Sequence, residues 1–178
     1  LALLAVSRMV AVIPVPGINA DKLRSLFEGN QFFNLFNVFS GGALSNLSIV
    51  MLGVGPYITA TIILQLLTMI FPKLKEMYQE DGEKGRQKFN QYTRLATVPL
   101  AALQGYGLLA YFQNQNIIEH LSLFSLVVNI CVVIAGTVFL MWLGEIISEK
   151  NIGNGISLLI FAGIIAELPN QVKQFYVN

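Results

Sequence analysis

Residues 31–71 read QFFNLFNVFSGGALSNLSIVMLGVGPYITATIILQLLTMIF and lie inside a run, Gly29 to Pro72, that holds 44 residues without Asp, Glu, Lys or Arg. About 20 apolar residues cross a hydrocarbon core as a helix, so the run is long enough for more than one membrane segment. Its two halves differ in chemistry. Ile49 to Phe71 has the length and greasiness of a full span. Gln31 to Ile49 does not, because Asn34, Asn37, Ser40, Ser45, Asn46 and Ser48 are scattered through it and Gly41-Gly42 breaks its centre. Ser40 is a suitable N-cap for a half-helix over 40–49, of about ten residues. Such a stub is too short to span, too polar to face lipid and too poor in charge for an ordinary soluble loop. Two placements remain open at this point. It is either an external helix on top of a bundle, or a re-entrant segment buried in protein or lining a wet cavity. The second placement is the mark of a transport or channel site rather than of a receptor or anchor.

In the greasy half, Pro56 is expected to kink the span by removing one backbone hydrogen bond, with Gly53 and Gly55 allowing close packing or a bend. Val54, Ile58, Ile62 and Leu66 share one face at helical spacing, a stripe that helix packing or lipid contact alone would explain. Thr59 and Thr61 are expected to bond their own i−4 carbonyls. Gln65 and Gln104 are costlier to bury and should meet another helix or water.

The rest of the chain agrees with a membrane location. Of 178 residues, 54% are apolar and 12% charged, about half the charge of a typical soluble domain. The net charge of +1 provides no basic field for nucleic acid. One Cys and one His exclude a disulfide framework and a Cys/His zinc site. Further uncharged runs cover Leu95 to Ile118 (24 residues), His120 to Gly144 (25) and Asn151 to Ala166 (16), while Leu1 to Pro16 is apolar apart from Arg8. The chain opens at Leu1 inside an apolar segment, as a fragment with a shortened first span would. Pro14-Val15-Pro16-Gly17 reads as a rigid turn rather than a signal-peptide cleavage site.

The expected fold is therefore an all-α membrane protein with five transmembrane helices and a re-entrant half-helix. The helices are placed at about 1–16, 50–71, 95–113, 123–144 and 155–169, with an external loop at 17–39. Barrel strands would instead alternate over about ten residues.

Orientation follows from the cations. The segment 72–94 holds Lys73, Lys75, Lys84, Arg86, Lys88 and Arg94, six of the eleven cations, with Asp81-Gly82 as a turn signal at its middle. The positive-inside rule makes it a cytoplasmic loop. Lys150 is then also inside, while Lys22, Arg24 and Lys173 are outside, so the bias agrees with the parity of the spans. Trp142 falls at the cytoplasmic interface. Gly153-Asn154-Gly155 lacks the lysine of a phosphate-binding loop and reads as a structural turn capped by Asn154.

No enzyme is expected. The only His, His120, sits beside Glu119 in a short external loop, remote from any embedded nucleophile. A secondary solute transporter with broken helices is the alternative to a channel, but the span 49–71 carries no carboxylate or Asn cluster facing the break.

Several motifs together resemble a known family. PVPGI (14–18), FNVFSGGALS (36–45), LGVGPYI (52–58) with QLL (65–67), DGEKGRQKFNQYTR (81–94), FLMWLGE (139–145) and EKNIGNGIS…IFAG (149–163) are similar in order and spacing to the bacterial SecY family. That family provides the channel subunit of the Sec protein translocase. The resemblance runs from about Arg8 to Pro169. It implies the N-terminal half of a ten-helix channel built from two inverted repeats, in the bacterial cytoplasmic membrane, with no cofactor.

The resemblance also implies roles. Ser40, Gly41, Gly42, Ala43, Leu44, Ser45, Asn46, Leu47, Ser48 and Ile49 correspond to the plug that seals the channel. A segment that must leave its seat should not be anchored by large apolar burial. Val54, Ile58 and Ile160 match pore-ring positions, an aliphatic constriction of the kind that gates by dewetting; the family usually has Ile where Val54 stands. Thr59 and Gln104 are candidates for the polar face of a lateral gate. Lys84, Arg86, Lys88 and Arg94 lie in the region facing the SecA motor or the ribosome, or else simply set topology. Implied partners are SecE- and SecG-like small subunits, signal-sequence-bearing polypeptides and the lipid bilayer. The family often has Arg at the position of Asn46, so a plug contact depending on that charge is not expected here.

Overall fold

The computed structural model describes residues 1–15, 25, 30–79, 82–118, 122–150 and 153–177. Pro16 and Gly17 of the expected turn, Asp81, Glu119 and His120 lie outside them. Among the described residues there are seven helices and no strand: α1 (Ala2–Val10), α2 (Gln31–Phe39), α3 (Gly55–Ile70), α4 (Pro72–Gln79), α5 (Gly82–Asn114), α6 (Leu123–Glu149) and α7 (Gly155–Val177). Helices α5 and α6 are long and apolar enough to cross a membrane, and α3 with α4 makes a third if that bent pair is one span. The apolar part of α7, Gly155–Pro169, is shorter. This is an all-α membrane protein.

Helix starts follow local chemistry. Ser122 caps α6 by accepting from the Ser125 amide, and Asn154 Oδ1 accepts from the amides of Ile156 and Ser157 at the start of α7. Pro56 is in the first turn of α3, where its missing N–H is no loss. It therefore starts the helix and does not kink a longer span, which corrects the expectation of a continuous rod from residue 50. At the other end Phe71 is extended ahead of Pro72, and α4 turns away by 114°.

The segment 72–94 is not a loop. Helix α4 folds back on the start of α5, Tyr78 meeting the buried Phe89 ring at 4.7 Å, and Gly82 takes the left-handed conformation (φ 60°) between them. Helix α5 then runs without a break past residue 95. Gly85, Phe89, Thr93, Thr97, Ala101, Gly105 and Leu109, every fourth residue, form its buried stripe. That face packs on α3, α4 and α6. The cations Lys84, Arg86, Lys88 and Arg94 are exposed, which costs a helix little.

The largest difference is at 40–54. The expected half-helix over 40–49 is absent; the helix here is α2, which ends where the stub should begin. Ser40 is its C-cap, and the amides of Gly41 and Gly42 bond back to the carbonyls of Val38 and Asn37 at 3.0 and 2.9 Å. With Gly41 at φ 65° and Gly42 at φ 81°, this is a Schellman stop. Glycine is needed for both angles. Residues 40–54 continue as linked turns.

These turns form the centre of the molecule. One apolar cluster joins Leu44, Leu47, Met51 and Leu52 to Leu109, Phe112 and Val133. The other joins Ala43, Val50 and Val54 to Ala11, Leu140, Leu143, Ile147 and Leu159. The turn segment and α6 contribute to both. Ala43, Leu44 and Ser48 are 0% exposed. Weak apolar anchoring, expected for a plug, is therefore not what these residues have. Full burial of Leu44, Leu47, Val50 and Met51 stabilises the seat by roughly 1.5–3 kcal/mol per side chain, an upper estimate since unfolded chains also bury surface.

Candidate functional site

A non-helical chain buried this deeply must find partners for its own N–H and C=O groups. The scattered polar side chains supply them. Asn37 Oδ1 accepts from the Ser45 amide at 2.8 Å and Ser40 Oγ from the Leu44 amide at 3.2 Å. Ser45 Oγ donates to the Gly42 carbonyl at 2.9 Å, and Ser48 Oγ donates to the Val10 carbonyl at 3.0 Å while accepting from the Val50 amide. The tail of α1 adds an isolated bridge between Pro14 and Ser48, made by the Val15 amide on the Leu47 carbonyl and the Ile49 amide on the Ile13 carbonyl. The polarity of 34–48 thus serves the segment's own backbone as much as any wet surface. Asn46 alone among 40–49 is exposed.

The neighbouring helices admit the segment through glycines. A Cβ at Gly136 of α6 would overlap the Ile49 carbonyl oxygen, and one at Gly41 would stand 2.8 Å from the Gly163 Cα of α7. Single-sequence reading had no means of finding Gly136, because an approach of backbone to backbone leaves no pattern along either strand of chain. Gly163 closes the IFAG motif.

A cavity of about 410 Å³, counting its open part, lies beside the segment. Its wall includes Ser40, Val50, Gly53, Val54, Leu159, Ile160 and Gly163, with Ser7 and Arg8 from α1. Two of the three expected ring residues, Val54 and Ile160, are therefore brought to one wall although 106 positions separate them. Ile58 is not among the lining residues; it lies one turn along α3 and is 38% exposed.

Thr59 and Gln104 meet directly. Gln104 Nε2 donates to Thr59 Oγ1 at 3.3 Å, tying α3 to α5, and Thr59 also donates to its i−4 carbonyl, Gly55, at 3.0 Å. Thr61 does the same to Tyr57 at 2.9 Å. At the other end of the bundle, Lys84, Arg86 and Lys88 are exposed on the first turns of α5. Arg94 is different: its Nε donates to Glu145 Oε1 of α6. The pair is exposed enough that it contributes less than about 1 kcal/mol, but it directs Arg94 toward its own bundle.

These features define a class: a multi-helix membrane protein whose core is a buried, uncharged turn segment beside a mainly apolar cavity that Arg8 and two serines also line. Residues 48–178 match the family model described as SecY. The protein translocase subunit SecY of Pseudomonas aeruginosa is 48% identical over 173 residues, covering 96% of this chain and 39% of that protein. The SecY proteins of Escherichia coli K12 (47% identical; 93% of this chain, 39% of the relative) and Aquifex aeolicus (41%; 99% and 43%) align in the same way. The chain belongs to the SecY family. It spans about two fifths of the length of these curated relatives.

Proposed function

We propose that this chain forms one half of a protein-conducting channel, passing unfolded secretory polypeptides across the bacterial cytoplasmic membrane and membrane segments into it. Five membrane-crossing segments, centred on α1, α3, α5, α6 and α7, make one inverted-repeat half around the buried turns. The turn segment 40–49 is the plug, and Val54, Ile58 and Ile160 contribute to the ring beneath it. Ile58 faces outward from this half and meets the opposite wall of the pore. The bond between Thr59 and Gln104 stiffens α3 against α5, so the two move as one leaf of the lateral gate. Lys84, Arg86 and Lys88 are available to SecA or the ribosome, Arg94 less so, and SecE- and SecG-like subunits clasp the outside.

The observation that carries this reading is the convergence of Val54 and Ile160 with Ser40 and Val50 on one cavity wall. The aliphatic part of that wall repels ions yet makes no specific bond with a passing chain, which is what a seal for varied substrates requires; Ser7, Arg8 and Ser40 line the rest. The strong burial of the turns refines the picture. A plug seated by several apolar side chains stays shut at rest and leaves only when the incoming chain supplies an alternative apolar surface or a motor applies force. Replacing Ile160 or Val54 with Asn in the full-length protein should therefore let preproteins with defective signal sequences through, raising their export about tenfold. The check is the processed fraction of a signal-sequence mutant, and unaltered selectivity in both variants would count against the ring assignment.

A further inference from the structure

Arg8 is the only cation in the first apolar segment, and the channel reading gives it no task. An ionisable side chain within such a segment is expensive and calls for a named partner. Its partner is specific. Arg8 Nη1 donates to the carbonyl oxygen of Gly41 at 2.6 Å, across 33 residues of sequence. Gly41 is the residue at which α2 stops and the turn segment begins. Its left-handed conformation turns that carbonyl out of the helix ladder, toward α1.

The neighbouring glycine is flanked as well. A Cβ on Gly42 would stand 2.6 Å from Glu167 Oε2 of α7, and the Gly41 backbone rests against Gly163 one turn earlier on that helix. A guanidinium from α1 and a carboxylate from α7 thus stand on the two glycines that begin the turns. Arg8 also lines the cavity that Val54 and Ile160 wall, so it touches both the segment and the space the segment borders.

We infer that Arg8 is a positioning residue for the plug, a latch whose charge-assisted hydrogen bond to Gly41 holds the first turn of the segment in register over the cavity, with Glu167 and Gly163 as the opposing wall. The inference rests on the channel reading. The apolar side chains of 44–51 hold the body of the segment, whereas its leading edge, 40–42, carries no large side chain; the bonds of the Schellman stop and of Ser40 and Ser45 shape it locally, and the Arg8 bond ties it across to α1. A charge-assisted hydrogen bond is stronger than a neutral one and is directional. It breaks when the edge shifts by an ångström or two, whereas apolar contact yields gradually.

The test compares four forms of the full-length translocase complex in proteoliposomes: wild type, Arg8→Leu, Arg8→Lys, and a form in which a Gly/Ser linker of equal length replaces 40–49. Resting ion flux, amide hydrogen exchange over 41–45 and resistance to limited proteolysis are read for each. The latch predicts that Arg8→Leu raises resting flux about tenfold and speeds exchange over 41–45 while keeping protease resistance. It also predicts that Arg8→Lys, which keeps a cationic donor, recovers most of both. Equal leak from Arg8→Lys and Arg8→Leu would overturn it, as would leak only in protein that has lost protease resistance. Leak from the linker form but not from Arg8→Leu overturns the latch and leaves the channel reading standing. Absence of leak from the linker form as well removes the channel reading, and the latch with it.

Discussion

Gly136→Leu should lower stability by more than about 3 kcal/mol. Inserted side chains in a packed core typically cost about 1–3 kcal/mol, because neighbours can shift rotamers. Here the obstacle is main chain. The first added carbon would overlap the Ile49 carbonyl oxygen, lie 2.8 Å from its carbon and 3.1 Å from Val50 Cγ1. No rotamer relieves that. Either α6 moves off the turn segment or the segment leaves its seat, and both apolar clusters lose contacts in either case. Gly107 on α5 provides the control, since nothing lies within 4 Å of a Cβ placed there; Gly107→Leu should change stability by no more than a helix-propensity increment of about 0.5–1 kcal/mol, in the stabilising direction. Thermal denaturation of the purified full-length protein in detergent separates the two. Equal melting of both variants would mean that α6 and residue 49 do not touch.

The second large effect is on permeability. Replacing Ser40–Ile49 by a flexible linker in the full-length protein should raise resting ion flux by at least tenfold. Burial sets the scale of the effect. If Leu44 and Leu47, the fully buried large apolar anchors within the replaced stretch, together stabilise its seat by about 3 kcal/mol, the low end of their transfer energies, spontaneous unseating is a roughly one-in-a-hundred event at a factor of ten per 1.4 kcal/mol. A linker without those side chains has no seat and leaves the cavity open for most of the time. Flux of a small anion and a small cation through single reconstituted channels is the measurement. Unchanged conductance would show that the turns are only a structural core and that the seal lies elsewhere.

Much of the helical framework was legible from charge and caps. Uncharged runs marked α5 and α6, Asn154 placed the start of α7, and the i−4 bonds of Thr59 and Thr61 follow from residue type alone. The cationic stretch misled because charge was read as loop. Charges are equally content on one side of a helix, and the four-residue repeat from Gly85 through Thr93 to Leu109 crosses the supposed boundary at 95 without interruption. That repeat was the available signal.

The site was less legible, for a physical reason. Asn37, Ser40, Ser45 and Ser48 mark the segment as too polar to face lipid, but in a buried non-helical segment their first duty is to the backbone. Ser40 looked like the start of a helix because its hydroxyl does bond an amide four residues on. The two left-handed glycines after it end a helix instead. The pairing of Val54 with Ile160 follows from family resemblance and not from periodicity, and both line one cavity. The partners that seat the segment (Gly136, Gly163 and Glu167) are visible only in three dimensions, because their meaning is the distance to another stretch of chain.

Cysteine accessibility in the membrane-embedded full-length protein tests the centre of this account most directly. In a background where the exposed Cys131 is replaced by Ser, single cysteines at Leu44, Ser48 and Asn46 are offered a membrane-impermeant maleimide, first at rest and then with a preprotein jammed in transit. The account predicts that Asn46→Cys reacts in both conditions, while Leu44→Cys and Ser48→Cys are protected at rest and react once the chain is lodged. Reaction at 44 and 48 as fast as at 46 in the resting protein, or protection that persists around a jammed chain, would contradict it.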